Sequence, residues 1–72
     1  MIREKFADGF YDALNIHRDA TSSEIRKSYL REVAKCHPDR PNGNAARFRE
    51  IQVAYEVLND EESRKIYDLW LR

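Results

Sequence analysis

Apolar residues return at helical intervals along almost the whole chain. Ile25, Tyr29, Val33 and Cys36 fall at i, i+4, i+8 and i+11, and Phe48, Ile51, Ala54, Tyr55 and Leu58 at i, i+3, i+6, i+7 and i+10. Strand-type alternation is absent, and two glycines and two prolines in 72 residues leave little room for a β-meander. The pattern predicts an all-α fold.

Local signals set the helix ends. Phe10 and Leu14 share a face and predict a short first helix over Phe10–Leu14, stopped by Asn15, a residue that tolerates positive φ. Thr21-Ser22-Ser23-Glu24 has the form of a capping box, in which Thr21 bonds the N3 amide and Glu24 reaches back. The second helix is expected from Ser22 to about Cys36. It ends there because Pro38 lacks an amide hydrogen and pushes His37 out of the α region. His-Pro-Asp-Arg-Pro-Asn-Gly-Asn, residues 37–44, reads as a loop, with Asn44 as the N-cap of a third helix over Ala45–Leu58. Asn59 or Asp60 can cap a fourth helix, whose apolar side is expected to be Ile66, Tyr67, Leu69 and Trp70; Tyr67, Leu69 and Trp70 are read as core or fourth-helix packing or, in a fragment, as the start of a connection to another domain. A connection of about eight residues lets the second and third helices run antiparallel. The expected architecture is a single domain over 1–72, with its core at about 10–70: a helical hairpin with two short flanking helices and residues 37–44 at its tip.

Composition narrows the function classes. One cysteine gives neither a disulfide framework nor a cysteine-rich metal site, and Cys36 is expected as a small buried core residue. No apolar run reaches the roughly 18 residues of a membrane span. Met1-Ile2-Arg3-Glu4-Lys5 is charged and lacks a signal-peptide core. For a complete chain these features predict a soluble intracellular protein, cytoplasmic by preference and monomeric. Net charge is zero but unevenly spread: −1 over residues 1–17, +4 over 18–49 and −3 over 50–72. The basic middle, with Lys27, Arg31 and Lys35 at i, i+4 and i+8 and Arg26 beside them, is a candidate surface for an acidic partner. Its bland counterpart is a solvated helix face, and a cation such as Lys35 near a helix C-terminus also suits the macrodipole.

The candidate chemistry sits in His37-Pro38-Asp39, an imidazole and a carboxylate displayed on a turn at the end of that basic helix. A catalytic acid–base pair needs a pocket and a third group, which a hairpin of this size does not offer. A metal site needs three or four suitably spaced ligands, and His17 and His37 are the two imidazoles. No catalytic residue, metal or cofactor is therefore assigned, His17 is read as a surface histidine, and docking is left as the role of the turn. A basic-helix nucleic-acid-binding domain is the alternative. Against it stand a stripe of three or four cations and zero net charge.

The ordered set of capping box, basic helix, His-Pro-Asp loop and apolar third helix resembles the J-domain of DnaJ-type co-chaperones. The likeness runs from about Phe10 to Trp70. It is carried by Phe10–Ile16, Ala20–Tyr29, Cys36-His37-Pro38-Asp39-Arg40, Phe48–Leu58 and Glu62–Asp68. The resemblance implies a domain that is not an enzyme. It implies docking on the ATP-bound form of a DnaK-type heat-shock chaperone and stimulation of that chaperone's ATP hydrolysis. By position, Arg26, Lys27, Arg31 and Lys35 would steer and dock, with Tyr29 at the edge of their surface. Asp39 would accept bonds from an arginine of the chaperone, while His37 and Pro38 would set the loop against the partner. Arg40 completes the signature, and Phe48 and Arg49 would add contacts from the third helix. Three departures stand out. Leu30 replaces a frequent cation. Glu32 stands where the family usually has a core leucine, with Val33 as the compensating apolar group. The loop before Phe48 is short and carries Pro41.

Overall fold

The computed structural model describes residues 9–71, and the charged stretch Met1–Lys5 lies outside them. Among the described residues there are four helices and no strand: α1 (Gly9–Ala13), α2 (Ser22–Cys36), α3 (Ala45–Asn59) and α4 (Glu61–Leu71). α3 is the centre of the fold, with α1, α2 and α4 all packed against it.

Each boundary has a local cause. α1 ends at Ala13, one residue earlier than its apolar spacing suggests, and its exit is a complete Schellman motif. Asn15 takes φ 56°, its amide donates to the Asp12 carbonyl (3.0 Å), and the Ile16 amide donates to the Tyr11 carbonyl (3.0 Å). At α2 both arms of the capping box are made: Glu24 N–H to Thr21 Oγ1 (3.1 Å) and Thr21 N–H to Glu24 Oε1 (2.7 Å). Asn44 caps α3 by accepting from the Arg47 amide (3.0 Å). Asp60 rather than Asn59 caps α4. It accepts from the Ser63 amide (2.9 Å) and hydroxyl (3.0 Å), bonds that hold its carboxyl below the usual pKa.

The core is one line of aliphatic side chains, with Leu14, Ile25, Ile51, Ala54 and Leu58 all essentially inaccessible. Fully burying such a side chain is worth about 1.5–3 kcal/mol, whereas an exposed ion pair gives roughly 0–1 kcal/mol. The hairpin is therefore held by this line, and Cys36 joins it as expected. The expected stripe on α2 needs correction. Its buried line is Ile25, Ser28, Glu32 and Cys36, while Tyr29 and Val33 are half-buried on its flank. Val33 thus does not take the place of a core leucine; Glu32 itself occupies it.

α4 also differs from expectation. Ile66, Leu69 and Trp70 are exposed, Trp70 to 71%. Tyr67 of the expected set does pack inward, and the helix docks through it together with Arg64 and Asp68. Tyr67 stacks on Phe10 with ring centroids 4.5 Å apart, and its hydroxyl accepts from the Phe10 amide (3.1 Å). The Tyr11 hydroxyl donates to Asp68 Oδ1 (2.6 Å) and accepts from Arg64 Nε (3.1 Å). Arg64 also donates to the carbonyls of Arg18 (3.0 Å) and Ala20 (2.6 Å), tying the 15–21 loop to α4. Helical periodicity located α4, but its amphipathicity does not decide its docking face, because the bonds that seat it come from residues distant in sequence.

Burial, and then the bond to Asp68, raise the Tyr11 pKa above its ordinary 10.0, with Arg64 pulling the other way. The neutral phenol therefore favours the folded state, fully below pH 10.0 and progressively less as pH rises through the raised folded value. Tyr11→Phe should cost about 1–2 kcal/mol at neutral pH from the two lost bonds. In denaturant titrations, the stability gap between wild type and variant should narrow above pH 10.0. A gap that is constant to high pH counts against the network.

Candidate functional site

The tip of the hairpin is built by backbone closure. The Asn44 amide donates to the Cys36 carbonyl (3.0 Å), which joins the last turn of α2 to the cap of α3. Inside that ring the Arg40 amide donates to the His37 carbonyl (3.0 Å) and the Gly43 amide to the Arg40 carbonyl (2.9 Å). Gly43 lies directly against the peptide between His37 and Pro38. A Cβ there would collide with the His37 carbonyl oxygen and stand 3.0 Å from both the His37 carbonyl carbon and Pro38 Cα. A bare backbone is required at this close approach, although Gly43 does not take positive φ.

His37 and Asp39 face one another across the first turn of the loop. The Asp39 amide donates to His37 Nδ1 (3.2 Å), so the neutral imidazole carries its proton on Nε2. The Asp39 carboxylate stays clear of the fold: its side chain is 92% exposed, with Oδ2 3.8 Å from Nδ1. Phe48, in the first turn of α3, meets the imidazole edge-on with ring centroids 5.4 Å apart. Pro38 and Arg40 are exposed beside them.

Behind the tip, Arg26, Lys27, Arg31 and Lys35 project from the exposed side of α2. Arg31 is held by Ser28, to whose Oγ it donates (3.0 Å). Tyr29 lies at the margin of this surface, stacked on Tyr55 with ring centroids 3.9 Å apart. Leu30, 54% exposed, interrupts the cations. Arg49 is exposed on α3. The predicted residues thus fall into a tip of His37, Pro38, Asp39 and Arg40 backed by Phe48, and a basic helix side leading up to it.

An open cleft lies between the 16–20 loop and α2, lined by Ile16, His17, Asp19, Glu24, Lys27 and Arg31, and it includes neither His37 nor Asp39. His17 is exposed, its Nδ1 accepting from the Asp19 amide (3.2 Å). Among the described residues no three His, Cys, Asp or Glu side chains cluster as metal ligands. No helix among them is long and apolar enough to cross a membrane.

The family model of the DnaJ domain matches residues 9–68. The chain belongs to the DnaJ-domain family. The J-domain is 49% identical over 72 residues to the chaperone protein DnaJ of Thermotoga neapolitana, covering 94% of this chain and 19% of that protein. It is 43% identical over 58 residues to Protein SIS1 of Saccharomyces cerevisiae, covering 81% of this chain and 16% of that protein. A DnaJ of Halorubrum lacusprofundi is 47% identical over 64 residues, covering 86% and 17%. The J-domain chain spans under a fifth of the length of each of these relatives.

The roles of Gly43 and Arg47 escape a reading of the sequence, and so does the partner of Glu32. Gly43 in Pro41-Asn42-Gly43-Asn44 signals a turn, but not the close packing on His37-Pro38. Glu32 stands out as a departure at a core position, but its meeting with Arg47 at 3.5 Å between α2 and α3 is not legible, because the two are far apart in sequence. Gly43→Ala should destabilise the J-domain by on the order of 2 kcal/mol through strain at the tip. It should also shift the amide resonances of residues 37–44. Asn42→Ala, at an exposed neighbouring position, should change stability by less than about 0.5 kcal/mol. Equal stabilities of the two variants in denaturant titration would contradict the packing role.

Proposed function

We propose that this J-domain is a co-chaperone module that docks on the ATP-bound form of a DnaK-type heat-shock chaperone and stimulates its ATP hydrolysis. The observation that carries the reading is the tip. Asp39 presents an almost fully exposed carboxylate from a loop closed at both ends by backbone bonds, at the end of a helix whose open side carries four cations. The chemistry of hydrolysis belongs to the partner. This chain supplies contacts and no catalytic group.

Each group has a distinct task in this reading. Arg26, Lys27, Arg31 and Lys35 attract an acidic surface and speed encounter, a contribution that weakens with salt. Asp39 accepts charge-assisted bonds from an arginine of the chaperone, stronger than neutral hydrogen bonds and directional when bidentate. His37, held by the Asp39 amide and Phe48, fixes where that carboxylate points, and its Nε2–H remains available to donate. Pro38 and Arg40 complete the contact surface of the tip. Tyr29, Phe48 and Arg49 add to its margin.

The test is single-turnover ATP hydrolysis by a DnaK-type chaperone with and without the J-domain. Wild type should accelerate hydrolysis, and folded His37→Gln and Asp39→Asn should lose most of that acceleration. The reading fails if wild type gives no acceleration, or if both variants match it. Arg31→Ala should slow association at low ionic strength by a few-fold and change dissociation little. An association rate that matches wild type at every salt concentration would remove the steering role.

A further inference from the structure

The basic side of α2 has an acidic residue beneath it. Glu32 lies on the buried line of the helix with 6% of its surface exposed. Its carboxylate contacts three cations. Oε1 lies 3.5 Å from Arg47 of α3, while Oε2 lies 3.5 Å from Lys35 Nζ and 3.7 Å from Arg31 Nε. Arg47 in turn donates to the carbonyl of Ala13 at the end of α1 (2.7 Å) and lies 3.9 Å from Glu50. Arg31 and Lys35 are each more than half exposed, so their outer surfaces remain available to a partner while their inner sides face this carboxylate.

We infer that Glu32 is a positioning residue that sets the electrostatic strength of the docking surface. It holds Arg31 and Lys35 against the helix and subtracts one charge from the field they project. The inference rests on the proposed docking and deepens it.

The geometry favours this role over simple core filling. A carboxylate buried for packing alone would need one cation to offset its desolvation, and Arg47 already supplies it. The second oxygen is directed at the two exposed cations at the tip end of α2. A buried charge close to them is screened less by salt than a surface charge would be, so it acts on their field at all but high ionic strength. Leu30 acts in the same direction by placing an apolar group where another cation would fit. The surface is therefore tuned toward weaker steering.

The experiment compares wild type with Glu32→Gln, Glu32→Leu and Glu32→Asp in single-turnover stimulation of a DnaK-type chaperone across ionic strength, with thermal unfolding of each variant. Both neutral variants should lower the half-saturating J-domain concentration about threefold at low salt, with a steeper salt dependence and the maximal rate unchanged. Glu32→Asp, which keeps the charge, should stay within a factor of about two of wild type. A purely structural role would lower the melting temperature and the maximal rate instead. The inference is overturned if half-saturation in the folded neutral variants is unchanged or higher, or if their shift is independent of salt. Failure of wild type to stimulate at all would remove the functional reading and this inference with it. Stimulation by wild type with no shift in the variants would remove the inference alone.

Discussion

The rotation of α2 about its own axis is the constraint on which the other features depend. Ile25 and Cys36 lie on one buried line of that helix and meet the strip of Ile51, Ala54 and Leu58 on α3. With these side chains inaccessible, turning α2 by one residue would expose at least one of them, at a cost of order 1.5–3 kcal/mol. The same rotation puts Arg26, Lys27, Arg31 and Lys35 in solvent. Because Cys36 is the last buried residue of the helix, it also fixes where the chain leaves the core and begins the tip. The surface charge pattern is thus a consequence of aliphatic packing, and no surface interaction has to enforce it.

Features governed by neighbours in sequence were legible from the sequence. The capping box at Thr21 and Glu24, the left-handed Asn15, the Asn44 cap and the stop before Pro38 each depend on a few consecutive residues, and the structure has them where the residue types put them. The tip and the basic helix side were legible for the same reason. What escaped involves partners remote in sequence. The true buried line of α2 passes through Ser28 and Glu32, at the helical spacing i, i+3, i+7, i+11 from Ile25. Glu32 was legible as a departure at a core position, but the burial of its carboxylate depends on Arg47, which lies on another helix. The exposed side of α4 misled in the opposite sense. Ile66, Leu69 and Trp70 have core-like chemistry, but the helix is seated by Tyr67, Arg64 and Asp68 reaching α1 and the 15–21 loop.

The two polar networks do different physical work. Around Tyr11, a hydroxyl, a carboxylate and a guanidinium are arranged so that each hydrogen-bonding group of the phenol is used. Removing any member leaves another unsatisfied in a partly buried place, so the network specifies where α4 sits. Around Glu32 the members are all charged, and desolvation offsets much of their attraction. A leucine there would avoid the carboxylate's desolvation cost but leave half-buried Arg47 without this partner, so stability gives the carboxylate at most a small net advantage. Its effect is better sought in what it does to Arg31 and Lys35.

The construction of the tip bears on the same question. A loop that ordered only on docking would lose conformational freedom at that moment, on the order of 1–2 kcal/mol for each residue fixed. Here the ordering is done in the free domain. The Asn44–Cys36 bond closes the loop, Gly43 seats the His37-Pro38 peptide, and the Asp39 amide is already bonded to the imidazole. The Asp39 carboxylate is left almost fully exposed, with its side chain 92% accessible. A preorganised acceptor gains more from a single charge-assisted contact than a mobile one does. In the proposed docking, such a domain would tolerate a basic surface thinned by Leu30 and drawn inward by Glu32: those two residues would weaken encounter but not the contact made at the tip.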